Sequence, residues 1–183
     1  MDKTVPSVAY LYADTKSYVW LKSAAEECAH ATIKTFLREE KTMRATVKWV
    51  DGAQFLGESG SGHSVVMDGP ESAGGRNMGV RPMEMLLLGM GGCASFDVVS
   101  MLKKSRQQVV DCSAELEAER ADAVPAVFTA IHIKFVVSGY NLKDAQVKRA
   151  VELSAEKYCS ASIMLSKAGV TITHSYELIE LAV

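Results

Sequence analysis

Between Pro82 and Lys104 the chain is apolar on nearly every side. Leu86, Met90, Cys93 or Ala94, Asp97 and Met101 form one row, and Leu87, Leu88, Val98 and Val99 fill the positions that an amphipathic helix would leave polar. A helix of this kind has to be covered all round, so it belongs at the centre of whatever the chain builds. Pro82 suits its first position, where the missing N–H removes a donor that would lack a partner anyway. Glu84 favours the positive end of the helix dipole, and Lys103 and Lys104 the negative end. Unbroken, the helix is about 34 Å long. Gly89, Gly91 and Gly92 each weaken it by roughly 1 kcal/mol relative to alanine, which predicts another backbone packed closely against them.

The flanking segments read as strands. Ala45, Val47 and Trp49 alternate with Arg44, Thr46 and Lys48, the pattern of a half-buried strand, and Asp51-Gly52 is a strong hairpin turn. Residues 54–58 run back, Ser59 to Gly62 turn again, and residues 63–68 complete a meander. The glycine- and proline-rich stretch 69–81 reads as a mobile loop. After the helix, Cys112, Ala114, Leu116 and Ala118 share one strand face, and Ile131, Ile133, Phe135 and Val137 another. A second helix over 142–167 aligns Val147, Val151, Ala155, Cys159 and Ser162, and Gly169 stops it. The last strand, 170–179, groups Ile172, His174, Tyr176 and Leu178. The order βββ, helix, ββ, helix, β carries few parallel-crossover signals and predicts an α+β fold, with antiparallel sheets packed on two long central helices. Upstream, Leu21, Ala24, Ala25, Cys28 and Ala31 predict an amphipathic helix over 17–37. The pattern changes near residue 42, so residues 1–42 form a helical extension and 43–183 a single domain.

Charge and composition narrow the function. Twenty Lys and Arg against 22 Asp and Glu give a net charge of −2, with no basic cluster, which argues against nucleic-acid binding. Glu84 and the three glycines keep the apolar run short of the roughly 20 residues a membrane span requires. Asp2, Lys3 and Pro6 do not resemble a secretory signal, so a cytoplasmic location is expected. The four cysteines form neither a CxxC nor a zinc-type spacing, and no metal set and no cofactor-binding loop emerges.

Cys93 and Cys159 are the candidates to carry chemistry. Each lies among small residues on a core-facing helix, in Gly91-Gly92-Cys93-Ala94-Ser95 and Tyr158-Cys159-Ser160-Ala161-Ser162. Each can be a small buried hydrophobe. Brought face to face, they can instead reduce a peroxide: one thiolate becomes a sulfenic acid, and the other condenses with it. A mid-helix cysteine is far from a helix N-terminus, so its thiolate needs a donor or cation from elsewhere. Cys112 reads as core, His174 as a hydrogen-bonded core residue, and His63 and His132 as surface groups.

Pro82-Met83-Glu84-Met85-Leu86, the small-residue run Gly89 to Gly92, Cys93 and the segment Ala155 to Ser160 around Cys159 resemble the OsmC/Ohr family, in its OsmC-like branch. The order of elements from Met43 agrees. The resemblance implies an intertwined homodimer with active sites at the subunit interface. It also implies Cys93 as the peroxidatic residue, Cys159 as the resolving one and Glu84 as the site's glutamate, with organic hydroperoxide as substrate and a thiol reductant. The alternative is a stress-response dimer binding a small apolar ligand. Glu84 stands two positions after Pro82, where the hydroperoxide-resistance branch has it one after. Within one helix it lies about 13 Å from Cys93 on the opposite face, so any contact comes across the dimer. The hairpin Asp51 to Phe55, where that branch carries an arginine, holds none, and Arg76 and Arg81 are the candidates to stand in.

Overall fold

The computed structural model describes residues 42–182. The helix expected over 17–37, and Cys28 with it, lie outside the described residues. Two compact units are distinguished: residues 42–49 with 56–65, and residues 50–55 with 66–182.

Strands β1 (Ala45–Asp51), β2 (Gln54–Ser59) and β3 (Ser64–Met67) pair in sequence order. Gly52 takes a φ of 51° in the first turn, as Asp51-Gly52 predicts. The second turn is closed by Gly62 N–H donating to the Ser59 carbonyl at 3.0 Å, and Gly60 N–H ties it to the Arg44 carbonyl at 2.8 Å. β1 departs from the half-buried expectation and is exposed along its whole length. Its alternation sets which side chains share a face, but neither face is buried.

The stretch 69–81 is anchored rather than loose. The buried Asp68 carboxylate accepts the backbone N–H groups of Gly69, Arg76 and Met78 at 2.8, 3.0 and 3.1 Å, and a short 3₁₀ turn, Glu71–Ala73, lies between them. A Cβ on Gly75 would meet the Gly69 carbonyl oxygen at 2.0 Å, so only glycine fits there. These donors, Met78's foremost, hold the Asp68 carboxyl below the usual carboxylate range. A depressed value means that the anchor's stabilisation is present at neutral pH and is lost as pH falls through the folded-state value. Hydrogen-exchange protection of the Arg76 and Met78 amides is therefore expected to collapse in acid below about pH 4, and to be missing at neutral pH in Asp68→Ala. Protection unchanged in that variant would refute the anchor.

The second sheet holds β4 (Gln108–Arg120), β5 (Phe128–Tyr140) and β6 (Thr171–Glu180) in that order. β4 and β5 are antiparallel, with Leu116 opposite Ile133. β5 and β6 run parallel, with Ile133 beside His174, because helical segments carry the chain back from the end of β5 to the start of β6. That crossover is the one pairing the element order did not signal. On the central strand Ile131, Ile133, Phe135 and Val137 are all buried, as their alternation predicts. His132 lies on the other face, its ring nitrogens 2.8 Å from the Thr173 and Ser175 hydroxyls. His174 is half-buried and makes no side-chain hydrogen bond among the described residues.

Helix α1 spans Pro82–Lys104, with proline in its first turn and Lys103 and Lys104 in its last, as predicted. Its buried row is Met90, Ala94, Val98 and Leu102, spaced by four. Gly91 does not face a backbone: a Cβ there would meet Leu116 Cδ1 at 2.8 Å. At Gly89 and Gly92 a Cβ would meet nothing within 4 Å. Leu88 and Phe96 on the same side are 57% and 74% exposed. The helix is thus central in composition but covered on one side only by the described residues. By length and composition it would suffice to cross a membrane, where its glycines and Glu84 suggested a run too short to do so.

The second predicted helix is broken. Helix α2 covers Asp144–Leu153, a π-helical turn Ser154–Tyr158, and helix α3 Ser160–Lys167. Gly169, at φ 95°, ends the segment as expected.

Candidate functional site

The break between α2 and α3 places Cys159. Ser154 is buried, and its hydroxyl donates to the Ala94 carbonyl of α1 at 3.0 Å. Its own carbonyl accepts from Cys159 N–H, five residues on, at 2.9 Å. This longer ring defines a π turn, a local widening often found at functional sites. Cys159 then leaves helical space, at φ −66° and ψ 105°, and becomes the residue that caps α3. Its Sγ accepts the Ser162 N–H at 3.5 Å and lies 4.0 Å from the Met90 carbonyl oxygen. Cys159 therefore sits at a helix N-terminus rather than mid-helix, and the donor that its thiolate needs comes from its own helix. Ser154→Ala removes the tether between the π turn and α1 and is expected to destabilise the fold by about 1–3 kcal/mol in chemical denaturation.

The opposing groups come from α1. Cys93 and Asp97 are four residues apart, hence on one face. The Cys93 sulfur, an Asp97 carboxylate oxygen and the Cys159 sulfur all lie within 4.8 Å of one another. Cys93 and Asp97 are half-buried, whereas Cys159 is inaccessible. Burial pushes the Cys159 thiol up from its ordinary value; the Ser162 N–H opposes that rise and the neighbouring Cys93 adds to it.

Cys112 packs against the core, and burial, with Asp111 nearby, pushes its thiol up to about 11, as suits an inert structural cysteine.

Glu84 stands apart from the sulfurs in its own protomer. Its carboxylate accepts the Arg81 N–H at 2.9 Å and lies 3.8 Å from the Arg81 guanidinium, a cap on the start of α1. Arg76 pairs with Asp51 at 3.4 Å. Both arginines proposed to stand in are thus engaged by nearby acids. The carboxylate that accompanies the two thiols is Asp97, which the sequence showed only as a member of the α1 row. Its i, i+4 relation to Cys93 was the available signal. Cys93, Asp97 and Cys159 are also the group able to hold a metal ion among the described residues, although their spacing announces none.

Comparison with known proteins agrees with this fold. A family model described as OsmC-like protein matches residues 74–175. Protein YhfA of Escherichia coli K12 is 56% identical over 137 residues, 75% of this chain and 98% of that protein. A hypothetical protein from Aquifex aeolicus VF5, solved by crystallography, is 30% identical, with TM-score 0.67 over 77% of this chain and 98% of its own. An organic hydroperoxide resistance protein OsmC from Legionella pneumophila shares the fold at TM-score 0.57 and 16% identity, over 74% of this chain and 96% of its own. With the two cysteine-bearing segments and the order of elements in place, the chain belongs to the OsmC/Ohr family.

Proposed function

We propose that this chain is a cytoplasmic, homodimeric, thiol-dependent redox protein that reduces organic hydroperoxides through Cys93 and Cys159. The supporting observation is the meeting of the two sulfurs within 4.8 Å, one reachable from solvent and the other sealed. In this reading the Cys93 thiolate attacks the terminal peroxide oxygen. The O–O bond breaks, the alcohol leaves after taking a proton, and Cys93 becomes a sulfenic acid. The Cys159 sulfur then displaces that oxygen as water, forming a disulfide. A dithiol reductant returns the two electrons and two protons. Exposure decides the order of roles, since the thiol that meets the oxidant has to be the accessible one. The Ser162 N–H, already directed at Cys159 Sγ, stabilises negative charge on that sulfur as it attacks.

The uncovered side of α1 supports the dimer. Leu88, Gly89, Gly92 and Phe96 form a helical stripe whose glycines leave room for close approach of a second copy. A site glutamate drawn from Glu84 requires that second copy.

The test is thiol counting. One equivalent of an organic hydroperoxide is expected to remove two of the four thiols per chain, and a dithiol to restore both. Thiols left untouched, with an apolar compound raising the melting temperature, would favour the ligand-binding dimer, for which the same exposed stripe is the supporting feature.

A further inference from the structure

We propose that Cys93, Asp97 and Cys159 form a binding site for a soft divalent cation, zinc above all. Two thiols and a carboxylate, Cys93 and Asp97 from α1 and Cys159 from the start of α3, converge within 4.8 Å. Among the described residues the Asp97 carboxylate has neither an ion pair nor a hydrogen bond. Three groups that are each anionic once deprotonated repel one another, and a divalent ion turns that repulsion into attraction. The ligand set selects the ion. Two sulfurs disfavour calcium and magnesium, which take oxygen, and suit zinc. Zinc at about 2.3 Å from each of two sulfurs holds them about 3.8 Å apart. Sulfurs no more than 4.8 Å apart therefore have about half an ångström each to travel. Two protons leave as the thiols become ligands. The fourth tetrahedral position faces the half-exposed side of Cys93 and Asp97, where water completes the shell.

The surroundings of Cys159 supply an independent sign. Ser162 is 1% exposed, and its hydroxyl has no hydrogen-bond partner among the described residues. It lies in the first turn of α3, three residues after Cys159. A buried hydroxyl without a partner is unfavourable, and a metal-bound thiolate is the acceptor it lacks. The Ser162 N–H already points at the same sulfur. This inference stands beside the peroxide reading and does not require it. It adds that the two states compete, because sulfurs held by zinc cannot form a disulfide.

The experiment uses the full chain, reduced and freed of metal, titrated with Zn²⁺ and in parallel with Co²⁺. One ion per chain is expected, with a near-ultraviolet sulfur-to-cobalt charge-transfer band and the visible bands of tetrahedral cobalt. Cys93→Ser and Cys159→Ser should each lower that charge-transfer intensity. Asp97→Asn, which keeps size and removes charge, should weaken binding by about tenfold or more, with its circular dichroism unchanged. Stoichiometric binding that survives Asp97→Asn at full strength, or no stoichiometric binding by the wild type, would overturn the proposal. Thiol loss to peroxide, measured separately with a chelator present, tests the other reading. Cation binding with inert thiols defeats that one alone, and oxidation without cation binding defeats this one alone.

Discussion

Cys93→Ser is expected to bring peroxide-driven thiol loss from two per chain to none, while Cys159→Ser should leave a loss of one. The asymmetry follows from access. Cys159 is sealed, and burial holds its thiol protonated, so without Cys93 no described thiol of the pair can meet the oxidant. Without Cys159, Cys93 is still oxidised, but its sulfenic acid has no neighbour to condense with and persists for trapping by a dione reagent. Cys112 does not substitute, because its thiol value near 11 leaves almost no thiolate at neutral pH. Equal behaviour of the two serine variants, or a loss retained in Cys93→Ser, would remove the assignment of roles.

The second large effect concerns Gly92→Leu. A Cβ there meets nothing within 4 Å among the described residues. Replacing glycine in a helix interior gains roughly 0.8 kcal/mol of helix preference. The isolated protomer should therefore fold as well as before or slightly better. If a second copy lies on the stripe from Leu88 to Phe96, the same leucine overpacks the crossing. A cost of about 2–3 kcal/mol corresponds to association weakened roughly a hundredfold. Sedimentation at micromolar concentration should show wild-type dimers and variant monomers. A variant that remains dimeric, or a monomeric wild type, would refute this use of α1.

Period and punctuation made most of the fold legible. Alternation located β5 and its buried residues. Proline at 82 and the lysines at 103 and 104 bounded α1, and the small-residue context of Cys93 and Cys159 drew attention to the pair. The break in the second helix stayed hidden because Val147 and Val151 before it, and Ser162 after it, keep a helical spacing across the π turn. Ser154, Ser160 and Ser162 were the local hint, since serine favours caps and turns over helix interiors. The parallel pairing of β5 with β6 depends on where the returning helices deliver the chain, which no local pattern encodes. Asp97 was overlooked because a carboxylate within an apolar row reads as an ordinary interruption until its sulfur neighbours are known. The close neighbour that Gly89 and Gly92 suggested is not found among the described residues, and at Gly91 the neighbour is the Leu116 side chain rather than a backbone.

Because sulfur 159 is also the acceptor that begins α3, the oxidation state of a single atom is wired into the backbone. Drawing that sulfur into a new bond withdraws it from the Ser162 amide and loosens the first turn of a helix only eight residues long. Under the proposed disulfide cycle, the Ser162 amide resonance would therefore serve as a gauge of the state of that sulfur, and a loosened α3 would mark the oxidised form.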